Sequence, residues 1–67
     1  MYKTVKEKLK ATGELMIKTS DGDKFELHTH NVKFDDEREL IEIDASAETY
    51  WINGNEVIYM WVHRVKE

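Results

Sequence analysis

Turn signals interrupt this chain so often that little longer than a strand fits between them. Asp21-Gly22-Asp23 and Asn53-Gly54-Asn55 carry residues that tolerate turn dihedrals, and Asp35-Asp36-Glu37-Arg38 is a third polar break. The runs they bound are GELMIKTS, KFELHTH, NVKF, LIEID, ETYWI and EVIYMWV, all of strand length, and most alternate apolar with polar residues. The expected fold is all-β: a small five- or six-stranded meander, closed as a barrel or packed as a sandwich. There is no linker, repeat or low-complexity stretch, so residues 1–67 read as a single small β domain.

Residues 4–13 fit two structures. Thr4-Val5-Lys6-Glu7 has the form of a capping box, and Gly13 stands where a helix would end. Val5, Leu9 and Thr12 would then share one helical face. The same segment alternates as a strand, with Val5, Glu7, Leu9 and Ala11 on one parity and Lys6, Lys8 and Lys10 on the other. Lys, Glu, Leu and Ala favour helix, which tips the balance to a short N-terminal helix of two turns.

Burial sets the register of the first hairpin. A three-residue loop over Asp21-Gly22-Asp23 pairs Ile17 with Leu27 and Thr19 with Phe25. Leu15, Ile17, Phe25 and Leu27 then share one face, and Glu26, His28 and His30 the other. Ile41 and Ile43 point inward from LIEID. ETYWI and EVIYMWV are expected to pair as a last hairpin across Asn53-Gly54-Asn55, because Asn-Gly is a strong hairpin signal.

That last strand breaks the alternation. Val57, Tyr59 and Trp61 lie on one parity, and Ile58, Met60 and Val62 on the other. One face can fill a core, and the other needs cover from a helix, a curled sheet or another chain. Chain length makes the need acute. A 67-residue chain buries only about 60% of the surface it exposes when unfolded, and there is no Cys to supply a disulfide. Oligomerisation is the remaining staple. The expected protein is a homo-oligomer joined through its C-terminal hairpin, with Tyr50, Trp51, Ile58, Tyr59, Met60, Trp61 and Val62 in the interface. The competing arrangement is a compact monomer whose sheet bends over itself.

Charge narrows the choice of partner. Residues 1–13 hold four lysines against Glu7 alone, a balance of +3; the remainder holds six basic against thirteen acidic residues, a balance of −7. An acidic body does not favour nucleic acid, whose binding rests on neutralised phosphates. It suits a protein partner with a basic patch, and Asp35, Asp36, Glu37 and Glu39 are the candidate contact. An acidic inhibitor that imitates nucleic-acid charge is a variant of the same idea. No run approaches the roughly 20 apolar residues needed to span a bilayer, and the first residues do not form a secretory signal. A cytoplasmic protein without a membrane partner is expected.

Catalytic chemistry is poorly served. Ser20 and Ser46 sit in turn contexts, and the acids of residues 35–39 read as a hydrated turn. No enzyme activity and no cofactor are expected. The sharpest chemical feature is His28-Thr29-His30: two histidines at i and i+2 on a strand face the same side. With His63 they could hold zinc or non-haem iron, although solvent-facing strand histidines are the simpler and favoured reading.

Two stretches carry a family resemblance. In VKFDDERELIEIDASAE, Phe34-Asp35 precedes an alternating strand and Asp44; in YWINGNEVIYM, Ile52-Asn53-Gly54-Asn55 precedes Val57-Ile58-Tyr59. Over residues 14–62 this resembles the Sm-like family of small barrels. The resemblance implies a ring whose last strands pair between neighbours, and RNA binding through a first-motif Asp and Asn and a second-motif Arg. Asp35 matches the Asp. No Asn follows in place, Asn53 stands at the Arg position, and the Gly expected near Leu27 is absent. Those departures weaken the implied RNA site more than the implied barrel. The chain alone therefore points to an interaction module first, then an Sm-like RNA-binding ring protein, then a histidine-based metal-binding protein.

Overall fold

The computed structural model describes residues 1–63. One helix and six strands follow in order: α1 (Tyr2–Thr12), β1 (Glu14–Thr19), β2 (Lys24–His28), β3 (Val32–Asp35), β4 (Leu40–Asp44), β5 (Thr49–Asn53) and β6 (Val57–Trp61), with a 3-10 turn at Gly54–Glu56. The all-β expectation holds, and residues 4–12 resolve as helix. No helix among the described residues is long and apolar enough to cross a membrane.

The helix begins earlier than the capping box suggests. Met1 occupies the N-cap position without a side-chain cap, and the free donors are met from far along the chain. Asn55 Oδ1 accepts from the Met1 ammonium at 3.2 Å and from the Tyr2 N–H at 3.3 Å. Gly13 ends the helix as expected, in the left-handed region at φ 77° with its N–H on the Leu9 carbonyl. Tyr2, Val5 and Leu9 are the buried face. Thr12, expected beside them, is exposed, and its hydroxyl stands within donating distance of two carbonyls, of Lys8 at 2.8 Å and Glu14 at 2.7 Å, and serves one at a time.

Two antiparallel three-stranded sheets follow, in the orders β2-β1-β6 and β3-β4-β5. In the first hairpin Leu15 faces Leu27 and Ile17 faces Phe25. The loop is three residues long but centred on Asp21, closed by the Thr19 N–H on the Asp23 carbonyl, with Gly22 at φ 91°. A three-residue loop needs its left-handed residue last, so Gly22 rather than Asp23 closes it. The register therefore differs by two residues from the expected pairing. An even shift keeps every side chain on its expected face. Leu15, Ile17 and Leu27 are buried, and Phe25 packs beside them.

The chain crosses between sheets at Thr29–Asn31. Asn31 Oδ1 accepts the His28 N–H at 2.8 Å, and the Asn31 carbonyl accepts the Asp44 N–H at 2.8 Å. In the second sheet Ile41 pairs with Ile52 and Ile43 with Tyr50. Inward residues of both sheets and the buried face of α1 make one core, with Phe25, Val32, Phe34, Ile52 and Met60 packed against it.

The expected C-terminal hairpin does not form. β5 pairs with β4 and β6 pairs with β1, so the two runs lie in different sheets. A two-residue hairpin turn of the favoured kind needs positive φ at both central residues. Gly54 has none. Asn53 Oδ1 instead accepts the Asn55 N–H at 2.9 Å and caps the 3-10 turn. Gly54 is buried beneath Tyr2, where a Cβ would lie 2.5 Å from the ring.

β6 also resolves its double-faced pattern. Its pairing with β1 runs Met16–Trp61, Ile17–Met60 and Lys18–Tyr59, then slips to Thr19–Val57. Ile58 is the extra residue of this bulge. A bulge moves the flanking residues across parity. Val57 and Met60 both turn inward, while Tyr59 and Trp61 face out.

Candidate functional site

Three surface features hold the residues singled out from sequence. The first lies where α1 begins. Tyr2 is buried, sets its ring edge-on to Phe34 at 5.8 Å, and donates its hydroxyl to Asp36 Oδ1 at 2.7 Å. Lys6 Nζ reaches the same carboxylate at 2.8 Å. Asp35 Oδ1 accepts the N–H groups of Glu37 and Arg38, which shapes the β3–β4 turn. Glu39 sits at φ 56°; its carboxylate accepts from Asn55 Nδ2 and its carbonyl from the Gly54 N–H. Of the four acids expected to meet a partner, Asp36 ties the turn to α1, Glu39 ties it to the 3-10 turn, and Asp35 holds it from within. The fourth, Glu37, is exposed.

The electrostatics follow the contacts. The Lys6 ammonium, then the Tyr2 hydroxyl, hold the Asp36 carboxyl below its ordinary value. The Arg38 N–H does the same for Asp35, helped by the Arg38 guanidinium. Burial, then the hydrogen bond to Asp36, push the Tyr2 phenol well above its usual range. The folded state therefore holds the Tyr2 proton more tightly than the unfolded chain does. Stability from this group is complete below pH about 10 and declines as the pH rises past it. Tyr50, raised by the charge of Glu48, acts in the same direction from an exposed position. Urea unfolding followed from about pH 8 to 11 is expected to show an alkaline loss of stability that Tyr2→Phe largely removes and Tyr50→Phe does not. At neutral pH Tyr2→Phe costs about 1 kcal/mol, the net worth of one hydrogen bond. An unchanged alkaline limb in Tyr2→Phe would assign the titration elsewhere.

The second feature is the pair of sheet edges. β5 and β6 each end a sheet, so each has a side that pairs with no strand among the described residues. With the residue that follows β6, they also carry all the exposed large apolar groups among the described residues except Met1. Trp51 is 62% exposed, Ile58 52%, Tyr59 47% and Val62 41%. Trp51 leans along its sheet and donates Nε1–H to Glu42 at 2.9 Å. Tyr59 and Trp61 lie against each other at 5.4 Å, and the Lys18 ammonium stands 5.8 Å from the Tyr59 ring. The other expected interface residues are less available. Tyr50 turns toward Phe25 at 5.8 Å, Met60 is half-buried on the core, and Trp61 is half-buried opposite Met16.

The third feature is the histidine surface. His28 ends β2, but His30 lies past it in the turn, and their rings stack at 5.4 Å. His63 borders an open cleft with Met16, Lys24, Phe25, Glu26 and Trp61. The residues that converge on His28 are carboxylates. Glu26 Oε2 is 2.6 Å from Nε2, and Glu14 Oε2 is 3.8 Å from Nδ1. Glu14 was not a candidate from sequence, because it stands at the junction of the ambiguous N-terminal segment and β1.

Comparison with known proteins adds no relative: no family model, curated protein or solved structure matches the chain.

Proposed function

We propose that this protein is a non-enzymatic interaction module that assembles with copies of itself through β5 and β6 and then binds a basic protein partner. The observation that carries the reading is the coincidence of strand edges unpaired among the described residues with exposed Trp51, Ile58, Tyr59 and Val62. An edge offers unpaired backbone groups, and exposed apolar side chains beside it give a second chain area to bury. Because β5 and β6 lie in different sheets, the edge of β5 on one copy can meet that of β6 on the next, a head-to-tail contact that closes into a ring when the rotation allows. The acidic body supplies the attraction for a basic partner, acting as an inhibitor or an accessory subunit. Glu37 contributes contact at the β3–β4 turn, while Asp35, Asp36 and Glu39 hold the turn in shape.

Light scattering on a sizing column is expected to give a multiple of the 8.0 kDa chain mass. Ile58→Asp is expected to return it to the single-chain mass with its circular dichroism unchanged, and Trp61→Asp to act in the same direction. A single-chain mass for the wild type at every concentration ends the assembly reading.

An Sm-like ring is the second reading, and one observation favours it. The Asp35 turn and the Asn53–Asn55 turn, which carry the resembling residues, meet at one end of the β3-β4-β5 sheet through the Gly54–Glu39 hydrogen bond. Asp35 and Asn53 are committed to backbone N–H groups there, which leaves less of them for a nucleotide. The same preparation mixed with uridine-rich RNA at low salt separates the two readings: a salt-sensitive gel shift favours the Sm-like ring, and no shift removes it.

A further inference from the structure

The geometry points to a divalent transition-metal site formed by Glu14, Glu26 and His28 on the outer face of the β1–β2 hairpin, independent of the assembly proposed above. Three elements of the fold bring these residues together. Gly13 ends α1 and delivers Glu14 as the first residue of β1. The hairpin register sets Glu14 directly opposite His28. The two-residue period of β2 puts Glu26 on the same face as His28. One donor atom from each of the three lies within 4.8 Å of the other two.

The donors are incompletely satisfied by one another. At 2.6 Å, His28 Nε2 and Glu26 form a hydrogen bond. At 3.8 Å, Nδ1 and the Glu14 carboxylate do not. Two carboxylates flanking one imidazole leave a net negative pocket; an ion binds one ring nitrogen only, and on Nε2 it takes the place of the proton shared with Glu26 while Glu14 swings round from the Nδ1 side. Two metal–ligand bonds of about 2.0–2.2 Å set donor atoms roughly 3–4 Å apart, inside the 4.8 Å that encloses one donor atom from each of the three residues. Both carboxylates are exposed enough to change rotamer toward a shared ion, and His28 is held at the strand end by its N–H bond to Asn31.

The donor set selects the metal class. One imidazole with two carboxylates suits zinc, nickel or copper, whereas magnesium and calcium prefer oxygen alone. His30 does not complete the set in this arrangement. Its ring lies 25° from parallel to the His28 ring, so the in-plane lone pairs of the two point along separate layers. His30 instead covers one side of the His28 ring and limits its rotation. Water completes the shell on the solvent side.

Zinc titration of protein purified without an affinity tag tests the site, read by calorimetry and by amide chemical shifts. One zinc ion per chain is expected, with shifts centred on residues 14, 26 and 28 and a melting temperature that rises with zinc. His28→Ala is expected to weaken binding by more than the roughly 10-fold typical of losing an outer partner, and Glu14→Gln and Glu26→Gln each by at least that factor. His63→Ala is expected to leave it unchanged. Magnesium is expected to bind far more weakly than zinc. The proposal is overturned by an absence of saturable zinc binding, by binding that survives His28→Ala, or by magnesium binding as tightly as zinc.

Discussion

Gly54→Ala is expected to destabilise the protein by about 2–4 kcal/mol and to lower its melting temperature by about 10–25 °C. The added methyl would stand 2.5 Å from Tyr2 Cδ1 and 2.7 Å from Tyr2 Cβ. A clash with Cδ1 alone could be relieved by a small ring rotation. Cβ is fixed to the helix backbone, so the start of α1 must move. Movement there loosens the Tyr2–Asp36 bond, the Phe34 contact and both bonds that Asn55 makes to the helix start. Overpacking of a filled site costs about 1–3 kcal/mol, and each hydrogen bond lost adds about 1. Gly22→Ala is the control. Gly22 has positive φ but nothing within 4 Å of the added methyl, so it carries the backbone strain without the clash. Its cost is expected to be about 1 kcal/mol. Thermal unfolding by circular dichroism compares the two, and a Gly54→Ala melt as mild as that of Gly22→Ala would refute the close packing of α1 on the 3-10 turn.

Gly54 also shows why part of the fold was legible and part was not. Asn-Gly is a hairpin signal because glycine tolerates positive φ, yet at this position glycine is required for its small size. Its neighbour is Tyr2, far away in sequence, and no local pattern can announce that. The strands themselves were legible because alternation is local: Leu15, Ile17, Ile41 and Ile43 point inward as their parity dictates. Gly13 as a helix stop was legible for the same reason. The bulge at Ile58 was visible only as an anomaly, a run with no polar parity. Its resolution depends on β6 pairing with β1 rather than β5.

The site residues divide along the same line. Exposure of Trp51, Ile58 and Tyr59 was foreseeable from an apolar face with no partner in so short a chain. The inward turn of Met60 and the contact of Tyr50 with Phe25 were hidden by the false hairpin. The Glu14–Glu26–His28 cluster was hidden by two residues of register: the expected pairing sets Glu14 opposite His30, the actual pairing opposite His28. The acids at residues 35–39 read as surface because their partners, Tyr2, Lys6 and Asn55, come from both ends of the chain.

Ile17→Ala is expected to have the largest effect of any single truncation, about 3–5 kcal/mol. Ile17 is fully buried on β1, the central strand of its sheet, flanked by Phe25 on one side and Met60 on the other. The neighbours lie on two different strands held by backbone ladders, so they cannot close in on the space left behind, and the cavity term adds to the lost transfer energy. A chain of 67 residues has only about 3–10 kcal/mol of net stability. Ile17→Ala therefore brings the protein close to unfolding at room temperature, whereas Ile58→Ala, at an exposed position, changes stability by less than about 0.5 kcal/mol. Concentration adds a second reading to the same experiment. Assembly that requires the folded chain adds stability that grows with protein concentration. If β5 and β6 join copies, the stability of Ile17→Ala rises with concentration as that of the wild type does, and that of Ile17→Ala combined with Ile58→Asp does not. A melting temperature independent of concentration for both the wild type and Ile17→Ala would place the whole stability of the fold within one chain.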